Sequence, residues 1–178
     1  MKIVAFGGST SRESINKRLA TYAASLFEGA DVEVLDLNDF EMPIFSVDKE
    51  KIDGHPEEAK LFIKKMRQAD LIIASMAEHN GSYSAAFKNI LDWASRIDGK
   101  VFQEKPMLLM ATSPGRRGGG FVLEAAKTRF PIHGAQIIAT FSLPEFEKNF
   151  SDSDGIIDED IKSSFMSVID TTKAQIAF

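Results

Sequence analysis

Residues 3–16 read Ile3-Val4-Ala5-Phe6-Gly7-Gly8-Ser9-Thr10-Ser11-Arg12-Glu13-Ser14-Ile15-Asn16. An unbroken apolar run ends in paired glycines, a hydroxyl-rich segment follows, and then Ile15, Leu19, Tyr22 and Leu26 fall on one helical face. The run fits a strand buried on both faces, as in a parallel sheet, and the glycines let the chain turn sharply into a helix. Such a helix start presents free N–H groups at the positive end of its dipole. Ser9, Thr10, Ser11 and Ser14 add hydroxyl donors, and Arg12 adds a charge whose fork suits phosphate oxygens. The Gly-Lys-Ser/Thr ending of a Walker loop is missing, and so is Gly-x-Gly-x-x-Gly, so a single phosphate group fits better than a pyrophosphate.

The same alternation continues through the chain. Leu71–Ala74 and Met107–Ala111 are further continuous apolar runs, and Ala135–Phe141 reads as a last strand. Val32 and Val34 flank Glu33, the alternation of a less buried edge strand. Helical stripes lie between them: Ala59, Phe62, Ile63 and Met66, entered by Pro56 as a first-turn proline; Phe87, Ile90, Leu91 and Ala94; Val122, Ala126 and Phe130. Ile161, Phe165, Val168, Ile169 and Ile176 suggest a closing helix. Strict β-α alternation predicts one α/β domain over residues 1–178, a flavodoxin-like three-layer sandwich around a parallel sheet of roughly five strands in the order 2-1-3-4-5. Asn38–His55 reads as an irregular connection, and the acidic stretch Glu145–Asp160 as a solvated loop.

Composition narrows the chemistry. A chain of 178 residues, 44% hydrophobic and 26% charged, is large enough for one ordinary core. A formal charge of -5 weighs against nucleic acid or an anionic membrane as partner. No cysteine is present, which removes disulfides, thiolate metal sites and a cysteine nucleophile, and is compatible with a reducing cytoplasm. Redox chemistry would therefore need a bound cofactor. His55, His79 and His133 show no metal-ligand spacing, and Gly-x-Ser-x-Gly does not occur. The opening apolar run is too short for a signal peptide or membrane span. Asp36 follows the second strand but lacks the glycine fingerprint of a ribose-binding acid, so solvent exposure or a turn role is expected of it.

Ligands of open α/β sheets bind beyond the carboxyl ends of the strands, where the strand order reverses. Besides the first loop, this points to Ala77–Ser84 and Thr112–Gly120. Asn80-Gly81 suits a tight turn whose amides face a heterocycle's carbonyl edge, and His79 and Tyr83 offer flat surfaces for stacking. Arg116 and Arg117 could attract the phosphates of a nicotinamide cofactor.

Together these motifs are similar to one known pattern. Gly8, Ser9, Ser14 and Asn16 match Gly-Ser-x-Arg-x-x-Ser-x-Asn, with Ser11 at the arginine position and Arg12 one residue later. Glu78, Asn80, Gly81 and Ser82 match Pro-Glu-Tyr-Asn-Gly-Ser, with Ala77 for the proline and His79 for the tyrosine. Phe87-Lys88-Asn89, Asp92-Trp93, Ser113-Pro114-Gly115, Met42-Pro43-Ile44-Phe45 and Gly54-His55-Pro56 follow the same pattern. The chain resembles the NADPH-dependent FMN reductase family, which includes bacterial quinone, azo-dye and chromate reductases. The resemblance implies FMN, its phosphate at Ser9, Ser11, Arg12, Ser14, Ile15 and Asn16, and its ring against Glu78, His79, Asn80, Gly81, Ser82, Tyr83, Ser113, Pro114 and Gly115. It further implies NADPH or NADH as donor, ping-pong hydride transfer without a protein acid or base, and a quinone, azo compound, free flavin or similar acceptor. A homodimer or homotetramer is implied as well, with the helix carrying Phe87 and Trp93 as an interface element. Two other readings are a non-enzymatic FMN electron carrier, against which the missing flavodoxin phosphate loop argues, and a flavin-free binding protein on the same fold.

Overall fold

The computed structural model describes residues 1–178. Its first strand, β1 (Lys2–Gly7), is buried from Ile3 onward, as an unalternating apolar run requires of a central strand. α1 (Ile15–Ser25) returns across the sheet to β2 (Asp31–Leu35), where a 3₁₀ turn (Leu37–Phe40) leads to the short α2 (Val47–Asp53) and to α3 (Glu57–Gln68). β3 (Leu71–His79) is followed by a two-residue strand β4 (Ser82–Tyr83), α4 (Ala85–Ile97), β5 (Lys105–Thr112), α5 (Gly120–Arg129) and β6 (Ala135–Leu143). The chain ends in α6 (Phe146–Asn149), β7 (Phe150–Ser151), β8 (Gly155–Ile156) and α7 (Glu159–Gln175).

The long strands pair in parallel in the order β2-β1-β3-β5-β6. This is the expected 2-1-3-4-5 arrangement, with β4 added as an antiparallel hairpin partner of β3. β2 lies at an edge, where Glu33 accepts from Lys65 and pairs with Lys2 at 3.1 Å. Lys65's hydrogen bond above all holds the Glu33 carboxyl below its ordinary range.

Alternate residues of β1 feed opposite cores, the period of two that a strand imposes. Val4 and Phe6 join Phe62, Phe87 and Phe130 under α3, α4 and α5. Ile3 and Ala5 join Leu19, Phe141 and Phe165 under α1 and α7.

Several expectations need correction. Pro56 is the residue before α3 rather than within its first turn. β3 runs to His79 and β4 takes Ser82 and Tyr83, so most of the expected second loop is strand. Asn38–His55 is not irregular: Asp36 and Ser46 cap its two short helices. α4 pins the segment, since Asn89 donates to Met42 and Pro43 and accepts from Phe45 N at 2.8 Å, while Trp93 Nε1 donates to Pro43 O at 2.7 Å. Phe87 and Trp93 are therefore buried in the core of this chain. Glu145–Asp160 is not a solvated loop either. Phe146, Phe150 and Ile156 are buried in it, and the acidic residues between them face outward. The Phe146 and Phe150 rings stack at 4.7 Å, with the Arg18 guanidinium 4.9 Å from the Phe146 ring centre.

One buried polar atom stays unpaired. The Tyr83 ring packs on Phe87 and Phe130, and its hydroxyl reaches no partner. Burial pushes this phenol above its ordinary value. An unsatisfied buried hydroxyl costs about 1–3 kcal/mol. Tyr83→Phe is therefore expected to stabilise the fold by about 1 kcal/mol, measured as a higher urea midpoint at unchanged slope.

Candidate functional site

The strand order reverses between β1 and β3, and three loops meet at the carboxyl ends of β1, β3 and β5. Close approach of the first loop depends on Gly7. A Cβ there would lie 2.3 Å from Lys17 N, so only glycine lets the first turn of α1 rest on the strand end. Gly8 N donates to Ser75 O at 2.8 Å, and Gly8 O accepts from Ser84 Oγ at 2.7 Å. Ser84 Oγ also accepts from Phe87 N and so caps α4.

Asn16 joins the loops at a buried position. Its Oδ1 accepts from Ser75 Oγ at 2.8 Å and from Thr112 N at 3.0 Å, and its Nδ2 donates to Thr112 O at 3.1 Å. Thr112 Oγ1 in turn donates to Leu143 O at 2.7 Å. β1, β3, β5 and β6 are thus tied together at one end.

The loops enclose a cavity of about 180 Å³ whose walls include Ser9, Ser11, Ser14, Ile15 and Asn16 from the first loop, Glu78 and His79 from β3, and Ser113 and Pro114 from the third. Ser9 Oγ accepts from Ser11 N, and Ser14 Oγ caps α1 by accepting from Lys17 N; neither hydroxyl donates within the chain. The first-turn N–H groups of Ile15 and Asn16 have no intrahelical acceptor. Hydroxyls and open amides converging on one point are the donor set that a phosphate monoester requires, and in that respect the site fits an FMN phosphate.

The other expected residues have different placements. Asn80 and Gly81, with φ of 53° and 74°, form the tight turn between β3 and β4, outside the cavity wall with Ser82. Tyr83 is turned into the core. Glu78 Oε2 accepts from Phe121 N at 2.9 Å and Val122 N at 3.1 Å, so its carboxylate caps α5, whose own N-cap is a glycine. Gly115 lies beyond the cavity, and its carbonyl accepts from Gly118 N and Glu145 N. Arg12 lines a separate cavity of about 410 Å³ on the outer side of α1, with Tyr22 and Phe150. Arg116 lies 3.9 Å from Glu145 and is exposed. Asp36 has the turn role expected of it, accepting from Asn38 N, and also pairs with Lys17 at 2.5 Å. Hydrogen bonds from Lys17 and then Asn38 hold its carboxyl below the ordinary range.

Phe121 was not anticipated, and Thr112 was placed in the third loop without the role it has in the Asn16 network. Thr112 ends an apolar run and gives no signal of its own. Phe121 is 54% exposed beside Gly81, with the Arg117 guanidinium 4.9 Å from its ring centre.

Residues 1–148 match the family model of NADPH-dependent FMN reductases. Over 123 residues the chain is 32% identical to an NADPH:quinone oxidoreductase of Arabidopsis thaliana, covering 67% of this chain and 61% of that one. Over 125 residues it is 35% identical to a 2-hydroxy-1,4-benzoquinone reductase of a Burkholderia species, covering 66% and 63%. The match thus spans less than two thirds of either relative's length. Among solved structures, the flavoenzyme NAD(P)H:(acceptor) oxidoreductase FerB of Paracoccus denitrificans superposes with a TM-score of 0.77 at 24% identity, covering 99% of this chain and 97% of that one, which establishes a shared fold.

Asn16→Ala removes three buried hydrogen bonds, taking Asn16 away from the N–H and C=O of Thr112 and from the Ser75 hydroxyl. It is expected to cost about 2–4 kcal/mol of stability. Asn16→Asp is expected to fail as well, because a carboxylate oxygen would face the Thr112 carbonyl. Urea unfolding of the two variants checks both.

Proposed function

The chain belongs to the NADPH-dependent FMN reductase family, and from that membership we propose that it is an NAD(P)H oxidoreductase that uses FMN and passes electrons to a quinone-class or similar small acceptor. The observation that carries this reading is the three-loop cavity at the switch in strand order, walled by serine hydroxyls and the open first turn of α1. When bound, FMN supplies the two-electron chemistry, accepting a hydride from NADPH or NADH and giving electrons to the acceptor in a ping-pong cycle.

The chain's own part is to bind and orient. Ser9, Ser11 and Ser14, with the N–H groups of Ile15 and Asn16, are placed to donate hydrogen bonds to the phosphate. The Asn80-Gly81 turn, with Ser82, offers backbone amides to the ring edge, and Ser113-Pro114-Gly115 borders the ring on the other side. Exposed His79 supplies a flat surface beside it. Glu78 keeps the β3 end and α5 in fixed relation through its bonds to Phe121 and Val122. Phe121 and Arg117 lie where a planar donor or acceptor would approach. No side chain is required as general acid or base.

The same reading makes the protein a homodimer or homotetramer working in the cytoplasm, where reduced nicotinamide nucleotides are supplied. Support for self-association is the exposure of Ile44 at 78%, Val47 at 50% and Ile52 at 81% along one segment.

Mixing the protein with excess FMN, recording the spectrum under equilibrium dialysis and then adding NADPH or NADH without oxygen tests the proposal. Bleaching of the flavin catalysed by the protein is the expected result. Flavin that binds but is not reduced by either nucleotide would favour an electron carrier, and no flavin uptake would favour a flavin-free binding protein.

A further inference from the structure

The charges around the cavity are of the wrong sign for a tightly held phosphate. Glu13 and Glu78 are the charged residues in its wall, and no lysine or arginine lines it. Glu78 is compensated by the two N–H groups of α5, whereas Glu13 has no partner. Every basic side chain at the start of α1 is directed elsewhere. Lys17 pairs with Asp36, and Arg18 pairs with Asp152 at 2.8 Å while lying over the Phe146 ring. Arg12 borders the other cavity, across α1. Ser11, in the cavity wall, brings a hydroxyl and no charge.

A phosphate monoester carries a charge of about -1.5 to -2 at neutral pH. In this site it gains hydrogen bonds from hydroxyls and open amides, and it meets the uncompensated Glu13 carboxylate without a cation to offset it. The two effects oppose each other, so the phosphate adds little to binding by the rest of the molecule. We propose that the site is nearly indifferent to the terminal phosphate: it recognises a flavin by ring and side chain, accepts riboflavin as well as FMN, and lets the flavin exchange with solution. Ser11 and Glu13 are the residues that set this selectivity. The inference rests on the flavin reading above and specifies which flavins the site takes.

Quenching of flavin fluorescence, titrated with FMN and with riboflavin at fixed ionic strength, measures the two dissociation constants without reference to turnover. For the unaltered protein the two are expected to agree within about threefold. Glu13→Gln and Ser11→Arg are each expected to tighten FMN by about tenfold, the scale of one added or relieved charge contact, and to leave riboflavin unchanged. Arg12→Ala is expected to leave both constants unchanged. Because Ser11, Arg12 and Glu13 are exposed loop residues, these variants should fold. A preference for FMN of about 100-fold or more in the unaltered protein, or selective loss of FMN binding in Arg12→Ala, would overturn the proposal and leave the flavin reading standing. Binding of neither flavin would overturn both.

Discussion

The carboxamide of Asn16 is the contact on which the site's geometry depends. It is the second residue of α1, and its side chain pairs with the N–H and C=O of Thr112 much as another strand would, while also accepting from Ser75. Only a side chain with a donor and an acceptor on one short stem can do this. Gly7 makes it reachable, because any Cβ there would collide with the backbone of Lys17 and push the helix start away. Through Thr112 and Leu143 the same network extends to β6. The three loops are thus held at one end of the sheet before any ligand arrives, which lowers the ordering cost of binding one.

The fixed frame decides what the loop side chains are free to do. Glu78 and Ser84 cap helices, Tyr83 packs in the core, and Asn89 and Trp93 hold the segment around Pro43. Several motif residues that read as ligand contacts thus have structural roles as well, and through these they position the turns between them. The hydroxyls of Ser9, Ser11 and Ser14 remain available, and the electrostatic character of the cavity follows from which neighbours are charged.

Strand order, the edge position of β2 and the meeting of three strand-end loops were legible in the sequence, because unbroken apolar runs, 3.6-residue stripes and glycine-rich strand ends each have a direct physical cause. The Asn80-Gly81 turn was legible for the same reason, since its positive φ values suit those residues. The stretch from Glu145 to Asp160 was misread because its charges outnumber its apolar residues, while Phe146, Phe150 and Ile156 alone decide its burial. Side-chain direction in the first loop was beyond pattern reading. Arg12 and Glu13 are adjacent, and which of them faces the cavity is set by the path of the backbone into α1. The role of Thr112 likewise exists only once β5 and α1 are side by side.

A crystal structure of the protein grown with FMN tests the central claim most directly. The account predicts flavin at the carboxyl ends of β1, β3 and β5, its phosphate within hydrogen-bond distance of Ser9, Ser11 or Ser14 and of the Ile15 and Asn16 amides, with the Asn16–Thr112 bonds unchanged. Flavin bound in the outer cavity beside Tyr22 and Phe150, or a site formed only after the Asn16 network breaks, would contradict it.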